Sequence, residues 1–167
     1  MALRKIICIE DELLRKKSRP VEKFDEKLHK LLDDMAETMY NANGVGLAAP
    51  QVGILRRAVV IDVGDGLVEL VNPVIVESDG QQSGPEGCLS IPGRSGVVTR
   101  PNHVKVQAQD AEGNPVELEA QEFFARAVCH ELDHLDGVLY VDKMDREILE
   151  GDEEYEPVDG DEEEDGE

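Results

Sequence analysis

Apolar side chains recur every three or four positions along residues 22–43, a spacing that predicts an amphipathic helix. The apolar positions of this segment are Phe24, Leu28, Leu31, Leu32, Met35 and Met39. Because these side chains share one face of a helix, we expect them to pack in the core of the protein. Asn43 and Gly44 predict the end of the helix, since both residues readily adopt the left-handed backbone conformation that terminates helices.

Short runs of apolar and β-branched residues after this helix predict strands. The segments with this pattern are residues 57–63, 67–76, 104–109 and 116–119. The second segment is interrupted at Asn72 and Pro73, so it predicts either one strand or two. The last two segments flank the turn-forming residues 110–114 and predict a β-hairpin.

Helical spacing returns over residues 121–136 and ends at Gly137, which predicts a second main helix. A short apolar run at residues 138–141 follows it and is strand-like. Strands and two helices that do not alternate in a βαβ rhythm predict an α+β fold.

The charge of the chain is concentrated at its C-terminal end. The 167 residues carry a net charge of −21, but residues 150–167 contain twelve acidic residues and no Lys or Arg, which leaves −9 for residues 1–149. Such a segment cannot bury enough apolar surface to fold, so the sequence predicts one domain over 1–149 and an acidic disordered tail over 150–167. A calcium loop is the alternative, but the EF-hand ligand spacing is missing. A surface this acidic argues against direct nucleic-acid binding.

The apolar segments are too short for membrane insertion or export. No apolar run approaches the ~20 residues that cross a bilayer, and the N-terminal apolar stretch is too short for a signal peptide. The three cysteines, Cys8, Cys88 and Cys129, do not resemble a disulfide framework. We therefore expect a cytoplasmic protein that does not bind membranes.

The segment CHELDHLDG, residues 129–137, has two histidines four positions apart on the second predicted helix. Four residues make about one helical turn, so His130 and His134 leave the same face. Glu131 completes the HExxH pattern, in which two imidazoles bind a metal and a carboxylate acts on a water beside it. The pattern predicts a metal site; the alternative is the polar side of a helix.

A catalytic metal site needs three protein ligands and an open position, so a third ligand is required. The candidates downstream of the second histidine are Asp136, Asp142 and Asp145. Upstream, the segment EGCLS at 86–90 presents Cys88 on a constrained loop, where a thiolate would be a good ligand. Cys129 is the alternative thiol, but it turns away from the face that the histidines share. The geometry therefore favours Cys88.

The segment GVGLAAPQVG, residues 44–53, is rich in small residues. It lacks the Gly-Lys-Ser/Thr ending of a phosphate loop and does not follow a strand, so it does not predict a nucleotide site. One interpretation is a helix cap and a loop packed under the sheet. The other is that Gly46 lets a substrate backbone approach and that Gln51 presents an amide donor to an oxyanion.

These segments, in this order, resemble the signature motifs of the peptide deformylase family. GVGLAAPQ at 44–51 is similar to the first motif, EGCLS at 86–90 to the second and HELDH at 130–134 to the third. The resemblance extends over roughly residues 1–145. It implies an α+β fold in which antiparallel β-sheets pack around a central metal-bearing α-helix.

The resemblance also implies a reaction and a role for each matching residue. The implied roles are metal ligation by Cys88, His130 and His134, acid–base catalysis by Glu131, oxyanion binding by Gln51 and the backbone N–H of Leu89, and binding of the substrate main chain by Gly46. The reaction would remove the formyl group from the N-terminal formylmethionine of a nascent polypeptide and release formate. The divalent metal would be Fe²⁺ in the cell, with Zn²⁺, Ni²⁺ or Co²⁺ as substitutes, since two His and one Cys suit all four ions.

The substrate is expected to lie extended beside residues 44–46 and 86–88, which include Gly87, and to add a strand through main-chain hydrogen bonds. The candidates for the apolar pocket that receives the Met side chain are Val45, the stem of Arg126 and Ala127. Glu86 lies two residues before Cys88, and we expect it to pair with Arg100, although both could instead be solvated.

Two other functions remain as alternatives. A general metalloprotease would take its third ligand from a residue downstream of the helix. A non-catalytic binding protein would hold a structural metal, but such a site needs four ligands and has no use for Glu131.

The acidic tail differs from a basic ribosome-docking extension, so we expect at most transient proximity to the ribosome.

Overall fold

Two antiparallel sheets and two helices form the fold in a computed structural model, which describes residues 2–149. The helices are α1 (Glu26–Asn41) and α2 (Glu122–Leu135). The strands are β1 (Gly46–Ala48), β2 (Ala58–Ile61), β3 (Val68–Asp79), β4 (Gln82–Cys88), β5 (Ile91–Arg100), β6 (His103–Gln109), β7 (Pro115–Gln121) and β8 (Met144–Ile148). Short 3-10 helices lie at Glu12–Arg15, Ala49–Val52 and Tyr140–Asp142. The predicted α+β class is confirmed.

The strands are divided between a five-stranded sheet in the order β1-β2-β3-β6-β7 and a three-stranded sheet in the order β4-β5-β8. Every pairing is antiparallel. β1 and β4 are edge strands of their sheets. Each therefore presents backbone groups that no neighbouring strand of its sheet uses.

Helix α2 is the central element, because it is buried along most of its length. Its apolar side chains pack in one core cluster with strands of the larger sheet, and Ala125, Val128 and Leu135 are fully buried there. The predicted range of 121–136 agrees with the observed bounds to within one residue at each end.

Helix α1 packs on the larger sheet in a second core cluster. Its predicted apolar face is buried, at Leu28, Leu31, Leu32, Met35 and Met39. The helix begins later than predicted, because the Asp25 carboxylate caps it by accepting a hydrogen bond from the N–H of Leu28. It ends at Asn41, two residues before the predicted end, and Asn43 has the expected left-handed conformation with a φ of 60°. Neither α1 nor α2 is long and apolar enough to span a membrane.

Of the two alternatives for residues 67–76, the structure shows a single strand: β3 (Val68–Asp79) runs through this segment, and Asn72 occupies a bulge with a φ of 52°. Two local predictions differ from the structure. Residues 138–141 do not form a strand but lead into a 3-10 helix. The expected loop at 86–90 is largely the end of β4 and the turn into β5. The preceding Gly84 and Pro85 also resemble a loop in sequence, yet both pair with β5.

We expect Gly137→Ala to lower the free energy of unfolding by about 2 kcal/mol more than Gly93→Ala. Both glycines have a similar positive φ, 76° and 80°, so both variants carry the same backbone strain. A Cβ at Gly137 would lie 2.3 Å from the carbonyl oxygen of Arg15, whereas one at Gly93 meets no atom within 4 Å. Urea unfolding of both variants measures the difference. Equal losses would show that the contact with Arg15 relaxes without cost.

Candidate metal centre

Cys88, His130 and His134 form the one group of potential metal ligands found among residues 2–149. Their ligand atoms all lie within 4.8 Å of one another, and Cys88 Sγ is 3.3 Å from His134 Nε2. The histidines lie one turn apart on α2, as predicted, and Cys88 reaches them from the end of β4. One sulfur and two nitrogen donors around a shared point are a chemically suitable set for a divalent transition metal.

The other candidates for the third ligand lie elsewhere. Cys129 is buried, and burial raises the pKa of its thiol to about 11, so the thiol remains protonated and is a poor metal ligand. Asp136 pairs with Arg57, and Asp142 with Arg15. Asp145 accepts a hydrogen bond from Thr99. The metalloprotease alternative thus lacks a downstream ligand among the described residues.

Glu86 is the hub of a buried ionic network beside the ligands. Arg100 donates two hydrogen bonds to its carboxylate, both 2.8 Å long, which confirms the predicted pair. Arg126 donates a third, also 2.8 Å long, to Oε2, and His130 Nδ1 lies 2.9 Å from Oε1. Burial would raise the pKa of Glu86, but the bonds from Arg100 and His130 outweigh it and hold the pKa well below its usual range. Glu86 is therefore ionised.

This network fixes the orientation of the first histidine. Because the ionised Glu86 only accepts hydrogen bonds, His130 must donate from Nδ1, which leaves Nε2 facing the ligand cluster. Burial lowers the pKa of His130, but its hydrogen bonds with Cys88 and Glu86 outweigh burial and raise the pKa well above its usual value, so a metal at Nε2 would displace a proton. Burial lowers the pKa of His134, so its imidazole is neutral and has a lone pair for a metal.

Glu131 lies beside the ligands with little solvent exposure. Its side chain is buried, and Oε1 has no hydrogen-bond partner among the described residues. Burial raises the pKa of Glu131 to about 7. The carboxylate lies over Gly46, where an added Cβ would come within 2.4 Å of Glu131 Oε2. Only glycine at this position leaves room for the carboxylate.

Gln51 is held so that its amide nitrogen faces the cluster. Its Oε1 accepts a hydrogen bond from the N–H of Ala48, 3.0 Å away, and its Nε2 donates to Ser90 Oγ at 3.1 Å. Nε2 also lies 3.4 Å from Cys88 Sγ. The donor predicted for an oxyanion is therefore beside the ligands, and Gln51 is almost fully buried.

A cavity of about 330 Å³ opens beside these groups, between β1 and β4. Its lining includes every residue predicted to contact the substrate, namely Val45, Gly46, Gly87, Leu89, Arg126 and Ala127. The guanidinium of Arg126 is turned to Glu86 and to the carbonyl oxygens of Gly84 and Val98, so its stem is the part available to a ligand. Phe123 also lines the cavity, although the sequence analysis does not identify it. The only signal in the sequence is an apolar residue near the start of α2, and the structure shows that its side chain is half-exposed.

Comparison with known proteins identifies the family. A family model described as polypeptide deformylase matches residues 3–148. A peptide deformylase from Caldicellulosiruptor bescii is 62% identical over 150 residues, which cover 90% of each chain. Peptide deformylase 1 from Clostridium acetobutylicum is 62% identical over 144 residues, which cover 86% of this chain and 96% of the relative.

Solved structures agree with this result. The crystal structure of peptide deformylase from Thermotoga maritima superposes with a TM-score of 0.84 at 46% identity and covers 85% of this chain and 97% of its own. A peptide deformylase from Synechococcus elongatus in complex with actinonin has a TM-score of 0.83 at 40% identity, with 86% and 79% covered. The chain belongs to the polypeptide deformylase family.

Proposed function

We propose that Cys88, His130 and His134 hold one divalent metal ion and that Glu131 is the general acid and base of the reaction. Peptide deformylases are metalloenzymes that remove the formyl group from the N-terminal formylmethionine of nascent polypeptides and release formate. The observation that carries the proposal is the meeting of one thiol and two imidazoles within 4.8 Å, beside a buried carboxylate.

When bound, the ion supplies Lewis-acid polarisation of a carbonyl oxygen and makes water more acidic. We propose Fe²⁺ as the ion in the cell, with Zn²⁺, Ni²⁺ or Co²⁺ as substitutes. The single thiolate and two imidazoles support this set, because the mixed sulfur and nitrogen donors suit each of these ions.

Glu131 moves the proton. It takes a proton from the water that attacks the formyl carbon and returns it to the nitrogen of the departing amine. A pKa of about 7, raised by burial, supports both halves of this cycle, because such a carboxylate gains and loses a proton near neutral pH. Its free Oε1 leaves an acceptor for the water.

Gln51 and the backbone N–H of Leu89 stabilise the negative charge that develops on the formyl oxygen. The hydrogen bond from Ala48 to Gln51 Oε1 holds the amide, so that one N–H of its NH₂ group bonds Ser90 and the other, beside Cys88 Sγ, is the donor for the oxyanion. A donor fixed before the reaction needs no reorganisation as the charge appears, which is why such groups lower the barrier.

The substrate binds as an extended strand between two sheet edges. β1 and β4 both flank the cavity, and their free backbone groups can pair with residues of the peptide, with Gly46 and Gly87 as contact points. The Met side chain enters the apolar part of the cavity, lined by Val45, Ala127 and the stem of Arg126. Main-chain pairing explains how one enzyme accepts many sequences after the Met.

The organisation of the chain supports a cytoplasmic enzyme of one catalytic domain over residues 1–149. The family match ends at residue 148, close to that boundary. The acidic tail over 150–167 lies outside the described residues. We propose that formylated nascent polypeptides are the partner, with transient proximity to the ribosome and without direct nucleic-acid or membrane binding.

The substitution Glu131→Gln keeps the shape of the side chain but removes the base. We expect formate release from a formyl-Met peptide to fall by about 10²- to 10⁴-fold, with the metal content unchanged. Both proteins are loaded with Fe²⁺ without oxygen and assayed side by side. Activity within a few-fold of the wild type would exclude Glu131 as the acid–base group.

The substitutions Cys88→Ala and Cys129→Ala distinguish the roles of the two thiols near the metal site. Cys88→Ala is expected to lose tight metal binding and activity, because only two ligands remain. Cys129→Ala is expected to retain both, since its thiol faces away from the cluster. Metal content after dialysis measures the difference. Full retention of metal by Cys88→Ala would overturn the proposed ligand set.

The substitution Glu86→Gln tests the buried network. We expect it to weaken metal binding by about 10- to 100-fold, because His130 loses the partner that orients it. It should also destabilise the metal-free protein by about 3 kcal/mol, because the buried Arg126 loses its counter-charge and the buried Arg100 keeps only Asp133.

The matched control is Glu147→Gln, which breaks the two hydrogen bonds that Arg94 makes to an exposed carboxylate. That pair is at the surface, so we expect a loss below about 1 kcal/mol and no change in metal affinity. Similar effects of the two substitutions would mean that Glu86 does not orient the ligands.

A further inference from the structure

A second and larger groove, of about 790 Å³, lies beside the first turns of α1. It shares no lining residue with the metal cavity. The cationic residues that line it are Arg4, Arg19, Lys23, Lys27, Lys30 and Arg56. We call this feature the basic groove.

The basic groove is an exception on an acidic protein. Its six cationic side chains are more than a third of the 17 Lys and Arg residues in the chain, although residues 1–149 carry a net charge of −9. Only Glu22 and Asp25 among its lining residues are acidic. A cluster of one sign on a surface of the opposite sign creates a local field that attracts anions.

Several of these cations have no counter-charge within the described chain. Arg4 and Lys30 share the buried carboxylate of Asp34. In contrast, the side chains of Arg19, Lys23 and Lys27 form no ion pair with any carboxylate of residues 2–149, and all three are exposed. They are available to an anionic ligand.

We propose that the basic groove binds the acidic tail of the same chain, residues 150–167. The tail carries twelve carboxylates and no cation, so its charge complements that of the groove. The tail lies outside the described residues, and the groove offers it the unpaired cations Arg19, Lys23 and Lys27.

The chain geometry allows the contact. Asp142 forms an ion pair with Arg15, and Arg15 precedes Arg19, which lines the groove, by four residues. The distance from the start of the tail to the groove therefore has an upper bound. The span from Leu149 back to Asp142 is at most about 25 Å, the ion pair adds about 10 Å, and Arg15 to Arg19 adds about 15 Å. The 18 residues of the tail extend to about 60 Å, so they exceed this upper bound of about 50 Å.

Tethering favours the tail over a separate polyanion. A segment joined to the protein meets the groove at an effective concentration in the millimolar range, which compensates for the weakness of each exposed ion pair. An external nucleic acid gains no such advantage and is repelled by the acidic remainder of the surface. Because the contact is between exposed charges, it should weaken steeply as salt rises.

A zero-length carbodiimide cross-linker tests the proposal on the full-length protein. It joins a lysine to a carboxylate only where the two touch, and mass spectrometry identifies the joined residues. We expect links from Lys23, Lys27 and Lys30 to residues 150–167 within one molecule. Their yield should exceed that at Lys16 and Lys17, which are also exposed but lie outside the groove, by about threefold or more.

The substitution Arg19→Gln provides the second measurement, because it removes groove charge without removing a reactive lysine. It should lower the yield of cross-links between the groove lysines and the tail, and 1 M salt should do the same. Arg94→Gln, a substitution outside the groove, should leave that yield unchanged. Equal yields at Lys16 and Lys17, or links found only between molecules, would overturn the proposal. Protection of the groove lysines by an added single-stranded RNA, without tail links, would assign the groove to an external polyanion instead.

Discussion

The buried carboxylate of Glu86 is the group on which the rest of the site depends. A charge removed from water must be compensated by partners with good geometry. Glu86 finds them in Arg100 at the end of β5 and in Arg126 and His130 on α2. One side chain of β4 thus connects a neighbouring strand and the central helix. The position of α2 against the smaller sheet is therefore set by electrostatics as well as by apolar packing.

The same arrangement explains how a strand and a helix share one metal centre. A register shift lies between Glu86 and Cys88 in the pairing of β4 with β5. Such irregularities re-aim a side chain and are common beside active sites. Glu86 can therefore face its arginines while Cys88, two positions later, reaches His134. Glu86 and Cys88 lie on one short segment, so a change in the position of either side chain would displace the other.

The sequence predicted what depends on local spacing and missed what depends on distant pairing. The periodicity of residues 121–136 was enough to place His130, Glu131 and His134 on one helix. The pair of Glu86 and Arg100 followed from the need to neutralise a carboxylate beside a thiolate. By contrast, β4 was taken for a loop, because its glycines and proline lack strand propensity and its stability comes from pairing with β5. The contacts of the Arg126 guanidinium with Glu86 and Val98 were not predicted for the same reason, because they join residues 40 and 28 positions apart.

The open edges of β1 and β4 also bear on self-association. An unpaired strand edge that can accept a peptide can equally accept the edge of another copy, which is a common route to aggregation. β1 spans only three residues. β4 contains Pro85 and two glycines, and a proline has no N–H to offer a neighbour. Each edge is thus long enough for a few residues of an extended chain but too short or too irregular to start a continuous sheet. The glycines and the proline that make β4 resemble a loop in sequence thus protect the protein from forming intermolecular sheets at the edge of β4.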